Sequence, residues 1–245
     1  MTQPRAKIRL HVAADLGEHH EVVLEREQAH YVFSVMRKPV GDFVALFNGR
    51  DGEWQAEITS VGKRAGRLVC RAQSQAQSEP PDLWLCFAPI KKSRTDFIAE
   101  KACEMGCRRL VPVLTQNTNS ERVNVDRLRA HGVEAAEQCG LVSVPEVADP
   151  VRLDRLLADW PRERQLLFCD ERIAGNRGGL IAKTSQYTPW AIIIGPEGGF
   201  SPAEAKRLRD LPFSHSVALG PRVLRADTAA VAALTLWQMT HGDWQ

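Results

Sequence analysis

An α/β domain with a mainly parallel sheet, preceded by a small β-barrel, is the fold this chain predicts. Three observations carry the prediction. Short strand-like runs crowd residues 7–73, whereas from Leu83 onward strands alternate with helices. Between them Ser74-Gln-Ala-Gln-Ser-Glu-Pro-Pro-Asp82 is polar and ends in prolines, as a linker does. The 245 residues also exceed the usual size of one domain. The expected division is a barrel over 1–73, a linker over 74–82 and the α/β domain over 83–245.

Lys7–Val12, Glu21–Leu24, Val40–Asn48, Glu53–Val61 and Arg67–Ala72 read as strands, with Asn48-Gly49 and Asp51-Gly52 supplying turn chemistry. Glu27–Arg37 places Tyr31, Val32, Val35 and Met36 at helical spacing, and Pro39 stops it. In the second domain Leu83–Ile90 is a buried-type strand. Thr95–Met105 is a helix ended by Gly106, with an N-cap at Ser93 or Thr95. Leu110–Leu114 is the next strand, and Asp126–Cys139 and Leu153–Trp160 are helices. Leu166–Cys169 and Trp190–Ile194 are further strands. Ser201, Pro202 and Glu204 spell an N-cap, a proline at the first helical position and a capping box. Val217–Leu219 is the last strand and Thr228–His241 the last helix. That helix is apolar nearly all round, so it is buried in its own core or across an interface.

A net charge of +2 neither demands nor excludes nucleic acid. Six cysteines without a C-x-x-C pair read as buried thiols of a reducing compartment, and no His or Cys set has metal-ligand spacing. The first residues lack the apolar core of a signal peptide and no run is of membrane-spanning length. The expectation is a cytoplasmic protein with neither metal nor membrane.

The chemistry concentrates in Ile192-Ile-Ile-Gly-Pro-Glu-Gly-Gly-Phe-Ser-Pro-Ala-Glu204 and Ala218-Leu-Gly-Pro-Arg-Val-Leu-Arg-Ala-Asp-Thr228. Each is an apolar strand that stops at Gly-Pro and leads to a helix. Ligands of open α/β sheets bind beyond the carboxyl ends of strands, so both loops are placed to form one small-molecule pocket. Gly198 and Gly199 let backbone N–H and C=O groups approach a flat ligand. The spacing is not G-x-G-x-x-G and no Walker Lys-Ser/Thr follows, which disfavours nucleotide and dinucleotide cofactors. No Ser-His-Asp or His-x-x-x-His pattern supports a hydrolase or zinc enzyme.

Gly-Pro-Glu-Gly-Gly together with Leu-Gly-Pro-Arg-Val-Leu-Arg-x-x-Thr resembles the carboxyl-terminal signature of RsmE-type 16S ribosomal RNA (uridine-N3) methyltransferases, members of the SPOUT class. His30-Tyr-Val-Phe-Ser-Val-Met-Arg37 with Gly41-Asp42, Glu100-Lys-Ala-Cys-Glu-Met-Gly106, and Glu134-Ala-Ala-Glu-Gln-Cys139 with Val144-Pro-Glu extend the resemblance over nearly the whole chain. Leu141 stands where the family often has Arg, and Met105 where it usually has Leu.

The resemblance implies a PUA-like RNA-binding barrel, a trefoil-knotted SPOUT-type domain that binds S-adenosylmethionine, a homodimer, and 16S ribosomal RNA or the small subunit as substrate. It assigns the cofactor to Ile194, Gly195, Pro196, Glu197, Gly198, Gly199, Leu219, Gly220, Arg222, Val223, Leu224 and Thr228. Glu197 is a candidate for accepting the N3 proton, or for steadying the cationic cofactor, with positioning favoured because a carboxylate beside a sulfonium stays ionised. Arg225 is the candidate for stabilising charge on the flipped uracil or gripping its phosphate, against a loop-fixing salt bridge. Thr228 is by default a helix cap. Arg5, Arg9, Arg37, Lys38, Lys91, Lys92 and Arg94 are the RNA-phosphate candidates. The rival functions are another SPOUT methyltransferase, for a different base or a ribose oxygen, and a non-enzymatic RNA-binding ribosome-assembly protein.

Overall fold

A computed structural model describes residues 6–62, 65–119, 122–173 and 188–244. Arg5, one of the RNA candidates, lies outside them. The chain divides into two units, residues 1–79 with 136–144, and residues 80–135 with 145–245.

The first unit is a five-stranded sheet of β1 (Arg9–His11), β2 (Glu21–Leu24), β3 (Phe43–Phe47), β4 (Glu53–Val61) and β5 (Gly66–Gln75). They pair in the order β1-β3-β4-β5-β2, antiparallel except for β1 with β3. Alternation sends Val22, Leu24, Val44, Leu46, Ala56, Ile58, Leu68 and Cys70 into one core.

The expected helix over Glu27–Arg37 is a short α1 (Arg26–Ala29) that widens into a π-helix over His30–Val35. Met36 N donates to Tyr31 O, five residues back. The wider turn breaks the 3.6 spacing, so Val32 alone of the expected inward set is buried. Tyr31, Val35 and Met36 are exposed. The segment ends at Arg37 with φ of 53°.

The second unit is built on a seven-stranded parallel sheet. Its strands are β6 (Leu83–Phe87), β7 (Arg109–Leu114), β8 (Glu146–Val147), β9 (Val151–Arg152), β10 (Gln165–Cys169), β11 (Trp190–Ile194) and β12 (Ser214–Val217). The order is β12-β10-β11-β6-β7-β8, with β9 also on β7. Helices α2 (Lys92–Glu104), α3 (Val125–Cys139), α4 (Leu153–Ala158), α5 (Pro202–Asp210) and α6 (Ala226–Thr240) connect and cover it. Parallel strands covered on both faces must be apolar throughout, and all five residues of β11 are buried. Residues from its two sides feed two cores: Ile192 and Ile194 meet α2 and α6, while Ala191 and Ile193 meet the α4 and α5 side.

Several elements differ from expectation, and β5 runs to Gln75, into the expected linker. The tiny strands β8 and β9 are too short to leave a periodic signal. The last strand ends at Val217, which leaves Leu219 in a loop. Helix α2 starts at Lys92, and Thr95 is not its cap: its hydroxyl accepts from Ile90 N and donates to Ile90 O. Helix α6 starts at Ala226, two residues early, so Thr228 is inside its first turn and Arg225 holds the N-cap position.

Candidate active site

The carboxyl ends of β10, β11 and β12 surround a cavity of about 460 Å³, within the range of small-molecule sites of roughly 300–1,000 Å³. Its first wall is Ile194-Gly-Pro-Glu-Gly-Gly199 and its second runs from Val217 and Leu219 through Arg222-Val-Leu-Arg225 to Ala226 and Ala229. A third wall, Cys169-Asp-Glu171, was not anticipated. The signal for it was present: Leu166–Cys169 is an apolar strand of the same parallel sheet, so its carboxyl end faces the same crevice.

The first wall is fixed by what its glycines lack. A Cβ on Gly195 would lie 2.8 Å from the Phe200 ring, and that ring is buried edge-on against Phe168. Gly199 has φ of 65° and its N donates to Pro196 O, closing a tight turn. Asn117, on the loop after β7, donates to the carbonyls of Gly198 and Gly199 at 3.2 and 3.1 Å. Beyond the turn Ser201 and Glu204 form the expected capping box, and the Glu204 carboxylate also accepts from Gln116 N. The loop is thus held by backbone contacts from behind, leaving its cavity side open to a ligand.

The third wall is held by Asp170, 2% exposed, which accepts from Arg209 Nε at 2.6 Å and from Arg172 N. The Asp170 hydrogen bond raises the Arg209 pKa, so the guanidinium keeps its charge. Its backbone N donates to Val217 O, joining the third wall to the second. Burial raises the Cys169 thiol far above its usual pKa, so it lines the cavity as an inert apolar group.

Ten of the twelve expected cofactor residues line this cavity. Gly220 and Thr228 do not. Gly220 turns the second loop with φ of 113°, and the exposed Thr228 gives its N–H to Asp227 Oδ1. Arg222 and Arg225 are exposed on the second wall, and neither has an ion pair or side-chain hydrogen bond among the described residues.

The RNA candidates separate into three groups. Lys91, Lys92 and Arg37 are exposed and unpaired among the described residues. Lys38 pairs with Asp42 at 2.8 Å, and Arg94 lies between Glu197 and Asp227. Arg9 is engaged inside the first unit. It pairs with the nearly buried Glu53 at 2.6 Å and donates to the carbonyls of Ala136, Glu137 and Leu141. Those carbonyls end α3, where a cation satisfies otherwise unpaired acceptors. Among the described residues, no group of His, Cys, Asp and Glu could hold a metal, and no helix is long and apolar enough to cross a membrane.

Comparison with known proteins agrees with this geometry. Residues 77–238 match an RNA methyltransferase domain model, and residues 24–69 an RNA methyltransferase PUA domain model. A ribosomal RNA small subunit methyltransferase E from Rickettsia conorii is 29% identical over 228 residues, covering 92% of this chain and 93% of that one. A Legionella pneumophila protein, described as a methyltransferase in complex with its bound cofactor SAM, superposes with a TM-score of 0.85 at 28% identity. That superposition covers 98% of this chain and all of the other. The same fold recurs in a Neisseria gonorrhoeae ribosomal RNA small subunit methyltransferase E bound to S-adenosyl methionine. There the TM-score is 0.87 at 24% identity, over 97% of this chain and 99% of that one.

Proposed function

The chain belongs to the RNA methyltransferase family, and from that membership we propose that it methylates N3 of a uridine in 16S ribosomal RNA of the small subunit, using S-adenosylmethionine. One observation carries the reading: three successive strand ends close a single crevice from the Gly-Pro-Glu-Gly-Gly and Leu-Gly-Pro-Arg segments.

The residues present suit that cofactor. Val217, Leu219, Leu224 and Ala229 offer apolar surface for a flat base, and the backbone of residues 194–199 offers donors and acceptors at close range. Carboxylates of Glu171 and Glu197 on the walls suit a cationic ligand. When bound, the group supplies an electrophilic methyl carbon on a sulfonium. The chain's part is placement, since holding one nitrogen in line with that carbon supplies much of the acceleration.

Loss of the N3 proton spreads negative charge over the uracil edge. Arg225, at the N-cap of α6 and without an ion pair among the described residues, is placed to receive it with a charge-assisted hydrogen bond. Glu197, half exposed at the mouth, orients the site from the opposite wall. Arg37 in the first unit and Lys91 and Lys92 in the second take RNA phosphates, giving affinity without base selectivity.

A trefoil knot, a homodimer and a cytoplasmic location belong to the same proposal. Helix α6 supports the dimer: one side is buried in its own core, while Val231, Ala232 and Leu236 are only partly covered and Met239 is exposed. The test is methyl incorporation into small ribosomal subunits followed by mass spectrometry of the modified nucleoside. Glu197→Ala and Arg225→Ala are expected to lose incorporation while keeping the wild-type circular dichroism spectrum. Full activity in both removes the site assignment, and a ribose-methylated product or another base removes the substrate assignment.

A further inference from the structure

Arg94 occupies a place that neither a phosphate contact nor a surface ion pair explains. It projects from the first turn of α2, and its Nη1 lies 3.5 Å from Asp227 Oδ2 and 4.0 Å from Glu197 Oε1. Its side chain is 28% exposed, and it makes no side-chain hydrogen bond among the described residues. One cation is thus shared by two carboxylates, one in the Gly-Pro-Glu-Gly-Gly loop and one in the first turn of α6. Asp227 is the fixed end of this arrangement. Its other oxygen accepts from Thr228 N at 2.9 Å, and an acid in the first turn of a helix is favoured by the helix dipole. Glu197 is the adjustable end, at the mouth of the cavity, with no other ion pair among the described residues.

We propose that Arg94 is a positioning residue: a charge clamp that holds the Glu197 loop against the start of α6 and so fixes the separation of the first and second cavity walls. The chemical need for it rests on the methyl-transfer reading above, because a nucleophile in line with a methyl carbon tolerates little movement of either wall. The order of dependence is Asp227, then Arg94, then Glu197. An RNA phosphate arriving at Arg94 competes with two carboxylates already there, which separates this residue from its exposed neighbours Lys91 and Lys92.

The test measures the clamp and the chemistry separately. Hydrogen exchange of the Gly198, Gly199 and Thr228 amides is followed in wild type, Arg94→Gln, Arg94→Lys and Asp227→Asn; asparagine keeps the acceptor for Thr228 and removes only the charge. An exposed ion pair shifts local equilibria by up to about five-fold. Exchange at Gly198 and Gly199 is therefore expected to rise roughly two- to five-fold in Arg94→Gln and Asp227→Asn. Lysine restores part of the protection. Half-molar salt mimics the loss in wild type by screening. In turnover, Arg94→Gln lowers kcat with the KM for RNA nearly unchanged. Unchanged exchange, or a raised KM for RNA with the salt slope reduced by about one, overturns the proposal in favour of a phosphate contact. Failure of wild type to bind S-adenosylmethionine in a calorimeter instead removes the methyl-transfer reading, and the exchange experiment still decides the clamp.

Discussion

The three glycines of the first cavity wall answer differently to one added methyl group, and the differences follow from what each Cβ meets. In Gly195→Ala the methyl lies 2.8 and 3.0 Å from two atoms of the Phe200 ring. That ring is 2% exposed and packs edge-on against Phe168 with centroids 5.4 Å apart, so it has nowhere to go. Overpacking of this kind costs about 1–3 kcal/mol. For a chain of this size each kcal/mol lowers Tm by about 2–4 °C. The strain is shared between the ring and residues 195–196, which line the cavity, so the affinity for S-adenosylmethionine falls, by up to about 100-fold if all of it falls on the loop. In Gly198→Ala the methyl meets Asn117 Cβ at 3.5 Å, an ordinary contact. Stability and affinity then stay within two-fold of wild type. Gly199→Ala forces alanine to φ of 65° and sets its methyl 2.2 Å from Glu171 Oε1. The carboxylate is the tip of a flexible side chain and swings aside, leaving the backbone strain of about 1–2 kcal/mol as the main cost. The assays are thermal unfolding and calorimetric titration with the cofactor. Equal effects at positions 195 and 198, or no effect at 195, would refute the reasoning that a locked ring shapes this wall.

Arg9→Ala should destabilise the first unit by about 3–5 kcal/mol, because Glu53 is left charged in a site where its side chain is 3% exposed; a urea midpoint unchanged from wild type counts against that role. Acid should weaken the same unit through Asp51, whose carboxyl is held below its ordinary value by the N–H of Leu16 and then by the Asn48 amide. A depressed folded pKa contributes stability above the unfolded value of 3.8 that is lost as pH falls through the folded value. Asp51→Asn should therefore flatten the urea midpoint between pH 5 and pH 2, and an unaltered pH slope sinks the assignment. Arg127→Met strips the buried Asp96 carboxylate of a bidentate partner at 2.9 and 2.7 Å, and the expected outcome is a lower midpoint of denaturant unfolding; an unchanged midpoint counts against the pair.

Much of the site was legible because parallel-sheet geometry is rigid. Once β11 and the Gly-Pro loops are recognised, the ligand is expected at strand ends, and ten of the twelve residues that the family resemblance named line the cavity. Thr228 was misplaced because a helix start is readable only to within a couple of residues, and α6 begins at Ala226 without a side-chain cap. The contacts of Arg9 were illegible for a different reason. Its partners at positions 136, 137 and 141 are backbone carbonyls, which have no signature in a sequence. Asp227 and Arg94 likewise meet from helices far apart in the chain. The π-helix at His30–Val35 keeps the composition of an α-helix while changing which residues face inward, so periodicity named a helix with the wrong buried face.

The Arg9 anchorage also sets an order for biosynthesis. The first unit includes residues 136–144 as well as 1–79, and Arg9 reaches Leu141 across 132 positions. At a translation speed of about 5–20 residues per second, the nascent amino-terminal sheet waits several seconds for its last segment to be made. During that interval Arg9 can pair with Glu53, but its fork still lacks its three carbonyl acceptors. A fragment ending at residue 79 would stay in that unfinished condition, so the amino-terminal sheet is better excised together with the stretch that completes it.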